Sequence, residues 1–121
     1  MKYPLGTLVP LSEVILKEGE LIAENERYVL YDYKVQNTGF SISLTVLKPG
    51  KSTRGHRHVN EQFYFFATGT GTMDLNEKLI EVKPLSLIRV EPYTFHKINN
   101  PNKITLIFVA FPVMRENISY D

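Results

Sequence analysis

Three side chains set the chemistry open to this chain: His56, His58 and His96, the only histidines among its 121 residues. Two of them stand one residue apart in "GHRHVNEQFYFF", residues 55–66, and are followed, after Val59 and Asn60, by Glu61 and Gln62. In an extended strand successive side chains alternate faces, so His56 and His58 point the same way, roughly 6.5 to 7 Å apart along the backbone. Two imidazoles so placed can lean onto one ion at about 2.0 to 2.1 Å. The same alternation brings Gln62, Tyr64 and Phe66 to that face and turns Glu61 away, unless a local bulge swings Glu61 inward. His96 follows a proline-containing turn in "EPYTFHKINN", residues 91–100, at the start of another predicted strand. The chain has no cysteine, which excludes thiolate ligands and thiol nucleophiles, so a metal must rest on nitrogen and oxygen.

The elements that must position these groups are short strands punctuated by turn residues. The aromatic and β-branched run "RYVLYDYKV" (27–35) ends at "QNTG", and "FSISLTVL" (40–47), near alternation, ends at "KPG". "QFYFFA" (62–67) stops at "TGTG", and "TMDL" (72–75) and "KLIEV" (78–82) flank Asn76-Glu77 as a hairpin would. "SLIRV" (86–90), "TFHKI" (94–98) and "KITLIFVAF" (103–111) complete eight to ten predicted strands, at the spacing of a sandwich or barrel. Helix signals are weak: "LSEVILKEG" (11–19) offers Ser12 as a cap and Gly19 as a stop for one short turn, and "EVIL" suits a strand equally well.

Composition narrows the partners. The chain is 43% hydrophobic and 22% charged, with a net charge of +1 and no block of like charge that would recruit nucleic acid or an anionic membrane. No stretch approaches the roughly 20 apolar residues of a membrane span, and Pro4, Gly6, Pro10, Ser12 and Glu13 interrupt any signal-peptide run. The reading is one cytoplasmic domain over residues 1–121, with a small molecule as its partner.

Written out, residues 50–69 read "GKSTRGHRHVNEQFYFFATG", with Gly50, His56, His58, Gln62 and Gly69 at set intervals. This resembles the first motif of the cupin superfamily, in which a glycine, two histidines, an acidic residue and a closing glycine recur at this spacing. "EPYTFHKINN", with Pro92, His96 and Asn100, is similar to the second motif. Two positions depart from it: Tyr93 stands near the usual glycine, and Leu85 replaces the glycine that opens the motif. The resemblance implies an all-β fold, a double-stranded β-helix (jelly-roll) barrel over residues 40–112. Residues 1–25 are then an N-terminal extension packing on the barrel or on a partner subunit, and a homodimer is expected.

The resemblance further implies His56, His58 and His96 as ligands of one divalent transition metal (Mn, Fe, Ni, Zn or Co), with Gln62 in the place of the usual glutamate. The fourth position is then either this amide or a bulged Glu61. Three histidines and one oxygen leave open positions for chemistry on a small carbonyl, enol or sugar-like molecule, of dioxygenase, isomerase or lyase type. A non-catalytic ligand-binding barrel is one alternative. A metal-free enzyme using histidine as acid and base is another, because "RGHRHVNEQ" is similar to a stretch of nucleotide-sugar ketoisomerase cupins. Tyr64 is a candidate proton donor or acceptor, although an aromatic in a barrel wall is more often core. Arg54, Arg57 and Arg89 are candidates for gripping an anion, each against the simpler role of a solvated surface charge.

Overall fold

The computed structural model describes residue 15, residues 17–34 and residues 39–113. Among these residues the chain forms nine strands: β1 (Glu20–Glu24), β2 (Tyr28–Lys34), β3 (Ser41–Leu47), β4 (Gln62–Thr68), β5 (Gly71–Leu75), β6 (Lys78–Val82), β7 (Ser86–Val90), β8 (His96–Asn99) and β9 (Leu106–Pro112). They pair antiparallel into a six-stranded sheet, ordered β1-β2-β3-β9-β4-β7, and a three-stranded sheet, ordered β6-β5-β8. Period-two alternation decides what lies between them. Leu47, Tyr64, Phe66, Val90, Leu106 and Phe108 of the large sheet bury against Met73, Val82 and Ile98 of the small one. The fold is thus the expected all-β jelly-roll barrel.

The outer face of the large sheet has its own apolar cover. Ile15, only 1% exposed, packs with Tyr33 and Ile42 in a second cluster. Residues 15, 17 and 18 are helical, and the Gly19 N–H donates to the Ile15 carbonyl at 2.9 Å, so of the two readings of this segment the helical turn forms in its described part. Residues 20–24, within the expected N-terminal extension, pair with β2 as edge strand β1. No helix among the described residues is long and apolar enough to cross a membrane.

Turn chemistry fixes the register near the site. Asn76 and Glu77 both take positive φ, 47° and 71°, the type I′ geometry whose twist matches its flanking strands β5 and β6. Leu85 (φ 66°) and Tyr93 (φ 62°) occupy the same left-handed region, so the backbone keeps a glycine-like conformation at the two positions that depart from the motif.

Candidate metal centre

His56 and His58 do not lie in a strand. The expected β-strand through them is replaced by an extended segment between β3 and β4, tied to β8 by isolated bridges Ser52↔Asn99 and His56↔His96. The His56 N–H donates to the His96 carbonyl at 3.1 Å, and the His96 N–H returns a bond of 3.0 Å. Gly55 explains the break in the ladder. Its φ of 85° is a conformation L side chains rarely adopt, and a Cβ there would lie 2.6 Å from the Phe95 ring. The two histidines still share a side, through this clamp onto β8 and not through strand parity.

The result is a tight cluster of imidazoles. Ring centroids are 4.2 Å apart for His56 and His58, 4.6 Å for His56 and His96, and 4.9 Å for His58 and His96. One ligand-capable nitrogen from each ring lies within 4.8 Å of the others. His96 is 2% exposed, and its Nδ1 sits 3.0 Å from the Thr94 carbonyl oxygen, which can only accept. The proton is therefore on Nδ1, leaving a lone pair on Nε2. That Nε2 is buried and has no hydrogen-bond partner among the described residues. An imidazole oriented by a backbone carbonyl with its other nitrogen unsatisfied is the arrangement a metal ligand requires.

Electrostatics agrees with that donor set. Burial lowers the pKa of His56 and of His96, the latter against the opposing pull of its bond to Thr94. His58 falls to about 4, through burial first and then repulsion from His56 and His96. Three neutral imidazoles offer lone pairs with few protons to displace at neutral pH, and they suit nitrogen-seeking divalent transition ions. The residues present fit such a metal.

Gln62 and Tyr64 share the inner face of β4, as parity predicts, and line a cavity of about 400 Å³ together with the three histidines. The Tyr64 hydroxyl donates to Gln62 Oε1 at 3.1 Å, and the Tyr64 ring stands edge-on to His96 at 5.4 Å between centroids. Burial raises the Tyr64 pKa well above its ordinary value, so the phenol keeps its proton. Glu61 takes the other face, but it is neither solvated nor bulged inward: it is 5% exposed and paired with the Arg89 guanidinium. Arg89 also reaches Glu91 at 3.0 Å, and Arg57 lies over the Phe95 ring at 5.4 Å. Of the three arginines noted in the sequence, only Arg54 lines the cavity.

Several lining residues escaped the sequence reading, among them Tyr28, Leu30, Ser43, Thr45 and Thr53. Those on β2 and β3 alternate toward the interior, and the pairs Leu30↔Thr45 and Tyr28↔Leu47 put them on one face. Parity could have found them had the two strands been set in register. Thr53 lies in the segment clamped to β8, where no periodic signal exists.

Residues 43–111 match the family model described as cupin domain. An uncharacterized protein of Methanocaldococcus jannaschii, MJ1618, is 30% identical over 93 residues, covering 76% of this chain and 71% of that protein. Among solved structures, the cupin-2 domain protein Rru_A2000 from Rhodospirillum rubrum superposes with a TM-score of 0.70 at 16% identity, over 82% of this chain and 72% of that one. Oxalate decarboxylase of Bacillus subtilis, studied for its Mn(II) centers, gives 0.72 at 18% identity, over 81% of this chain and 28% of that chain. The bridged histidine segment, the buried His96 and the barrel around them thus agree with the family match: this chain belongs to the cupin family.

Proposed function

We propose that this chain binds one divalent transition metal through His56, His58 and His96 and acts as an enzyme on a small carbonyl, enol or sugar-like molecule. The observation that carries this reading is the buried, unpartnered Nε2 of His96 within a group of three mutually close imidazoles. Manganese, iron, nickel, zinc and cobalt all suit nitrogen donors, and the Mn(II) centers of the oxalate decarboxylase neighbour support manganese among them. When bound, such an ion supplies a Lewis acid beside the cavity.

The protein's own groups then divide the work. Thr94 holds the His96 ring through Nδ1, and the backbone clamp to β8 holds His56. Tyr64, kept protonated by burial, fixes the Gln62 amide and serves as a donor, not as a base. Leu30, Ile98, Phe108 and Ala110 give the cavity an apolar wall that excludes water from a small substrate. We also propose a homodimer, supported by the exposed Leu21 and Ile22 on edge strand β1.

Elemental analysis of the purified protein tests the metal. We expect up to one equivalent of a transition metal, most of it lost in His56→Ala and in His96→Ala. Metal-free protein whose melting is unmoved by added manganese, iron, nickel, cobalt or zinc would sink this reading.

A further inference from the structure

The cavity is better furnished to donate than to accept. Gln62 Oε1 already receives the Tyr64 hydroxyl at 3.1 Å, which leaves the two N–H groups of the same amide as the free polar end of the side chain. Arg54 is the one side chain of fixed charge in the lining, where no carboxylate appears. Neither ion pair among the described residues involves Arg54: Arg89 takes both Glu61 and Glu91. Asp32, on the same face of the sheet as Ser43, lies outside the lining and accepts the Ser43 hydroxyl at 2.6 Å. The lining therefore combines the Gln62 amide and Arg54, an exposed side chain that also lines a neighbouring cavity with Glu26, with three imidazoles and no fixed negative charge of its own.

We propose that the ligand of this site is a small carboxylate, held by the Arg54 guanidinium and the Gln62 amide N–H, so that Gln62 is a donor to the bound anion and not a metal ligand. Arg54 can meet a carboxylate with two parallel N–H bonds, a geometry a lysine cannot supply. A phenol already bonded to Oε1 draws electron density from that oxygen and weakens it toward a cation. It also strengthens the N–H bonds on the other side of the amide. The cavity, about 400 Å³ with an apolar wall, admits a carboxylate carrying a short carbon chain. This inference rests on the metal-binding reading only for what sits beside the carboxylate, since the two gripping side chains belong to the protein itself.

The test uses pyruvate, with its uncharged methyl ester as control, titrated by calorimetry into metal-free protein and into protein loaded with Mn²⁺. Manganese uptake is followed separately by electron paramagnetic resonance. We expect pyruvate to bind and the ester to bind at least tenfold more weakly. Arg54→Gln and Gln62→Met should each weaken pyruvate by about tenfold or more, the loss typical of a hydrogen bond to a charged group. Arg54→Lys should recover only part of the loss, and manganese affinity should stay the same in Gln62→Met. Pyruvate affinity unchanged in Arg54→Gln, no discrimination against the ester, or manganese lost in Gln62→Met would each overturn the inference. Failure of the wild-type protein to take up manganese or any other transition metal overturns the metal reading alone, because the metal-free titration still tests the carboxylate grip.

Discussion

At the scale of single residues, only an NH2 group in place of an oxygen separates the amide at position 62 from a carboxylate, and the difference is a full charge beside the imidazoles. Three neutral histidines leave a divalent ion at +2, whereas a glutamate on the same face reduces that to +1 and draws the ion more strongly. Gln62→Glu should therefore raise manganese affinity, read by competition with a fluorescent chelator, and the shift should favour manganese over softer ions. Glu61→Gln should leave metal content unchanged but lower the melting temperature, because it weakens a nearly buried carboxylate's pairing with Arg89. Metal lost in Glu61→Gln would contradict the outward placement of that side chain. The candidate residues themselves were legible in the sequence because histidine is rare in this chain and has few uses at such spacing. What Glu61 does was not legible, since parity says only which way a side chain points, and Arg89 reaches it from β7, another strand, 28 residues away.

At the scale of elements, strands and hairpins follow from local pattern, and the exceptions fall where a single backbone conformation overrides it. β2 through β9 lie within a few residues of their expected bounds, because each alternating or aromatic run ends in a turn signal. The histidine segment fails that rule. Its "HRH" reads as strand, yet Gly55 at positive φ on one side and a bend at Val59 and Asn60 on the other prevent a ladder from forming. Leu85 shows the converse, a left-handed residue that sequence pattern alone would not place. It is 77% exposed, so little packing offsets its strained φ of 66°. A left-handed non-glycine residue costs about 1–2 kcal/mol, and glycine returns about 0.5–1 kcal/mol of that as unfolded-state entropy. Leu85→Gly should accordingly stabilise the protein by about 0.5–1 kcal/mol in urea denaturation, with metal content unaltered. A loss of stability would show that the Leu85 side chain makes contacts worth more than its strain.

At the scale of the whole molecule, the barrel was legible because eight of the nine strands among its described residues have their own sequence signal, while its edge was not. β1 is mostly exposed along its length, with Leu21 at 52% and Ile22 at 46%, so nothing in its burial marks it as a strand of the sheet. An apolar edge of this kind pairs readily with a second copy, and light scattering at micromolar concentration should report a dimer that Leu21→Lys with Ile22→Lys converts to monomer. A wild-type monomer would refute the homodimer. The imidazole cluster adds a dependence on pH that belongs to the fold as a whole. All three histidines have pKa values lowered from an ordinary value near 6.5, His58 to about 4, so the unfolded chain takes up protons more readily than the folded one. Stability from these groups is then fully present above about pH 6.5 and declines as the pH falls below it, the His58 part being exhausted below about 4. Metal bound to the neutral rings competes with the same protons, so it should raise the melting temperature at pH 7 and lose that effect on acidification. The measurement is thermal melting from pH 7.5 to 4 with and without manganese, in wild-type protein and in His58→Gln. The expected result is a metal-free melting temperature that falls less steeply with acid in His58→Gln than in wild type. Parallel slopes in the two proteins would show that His58 holds its proton equally well folded and unfolded.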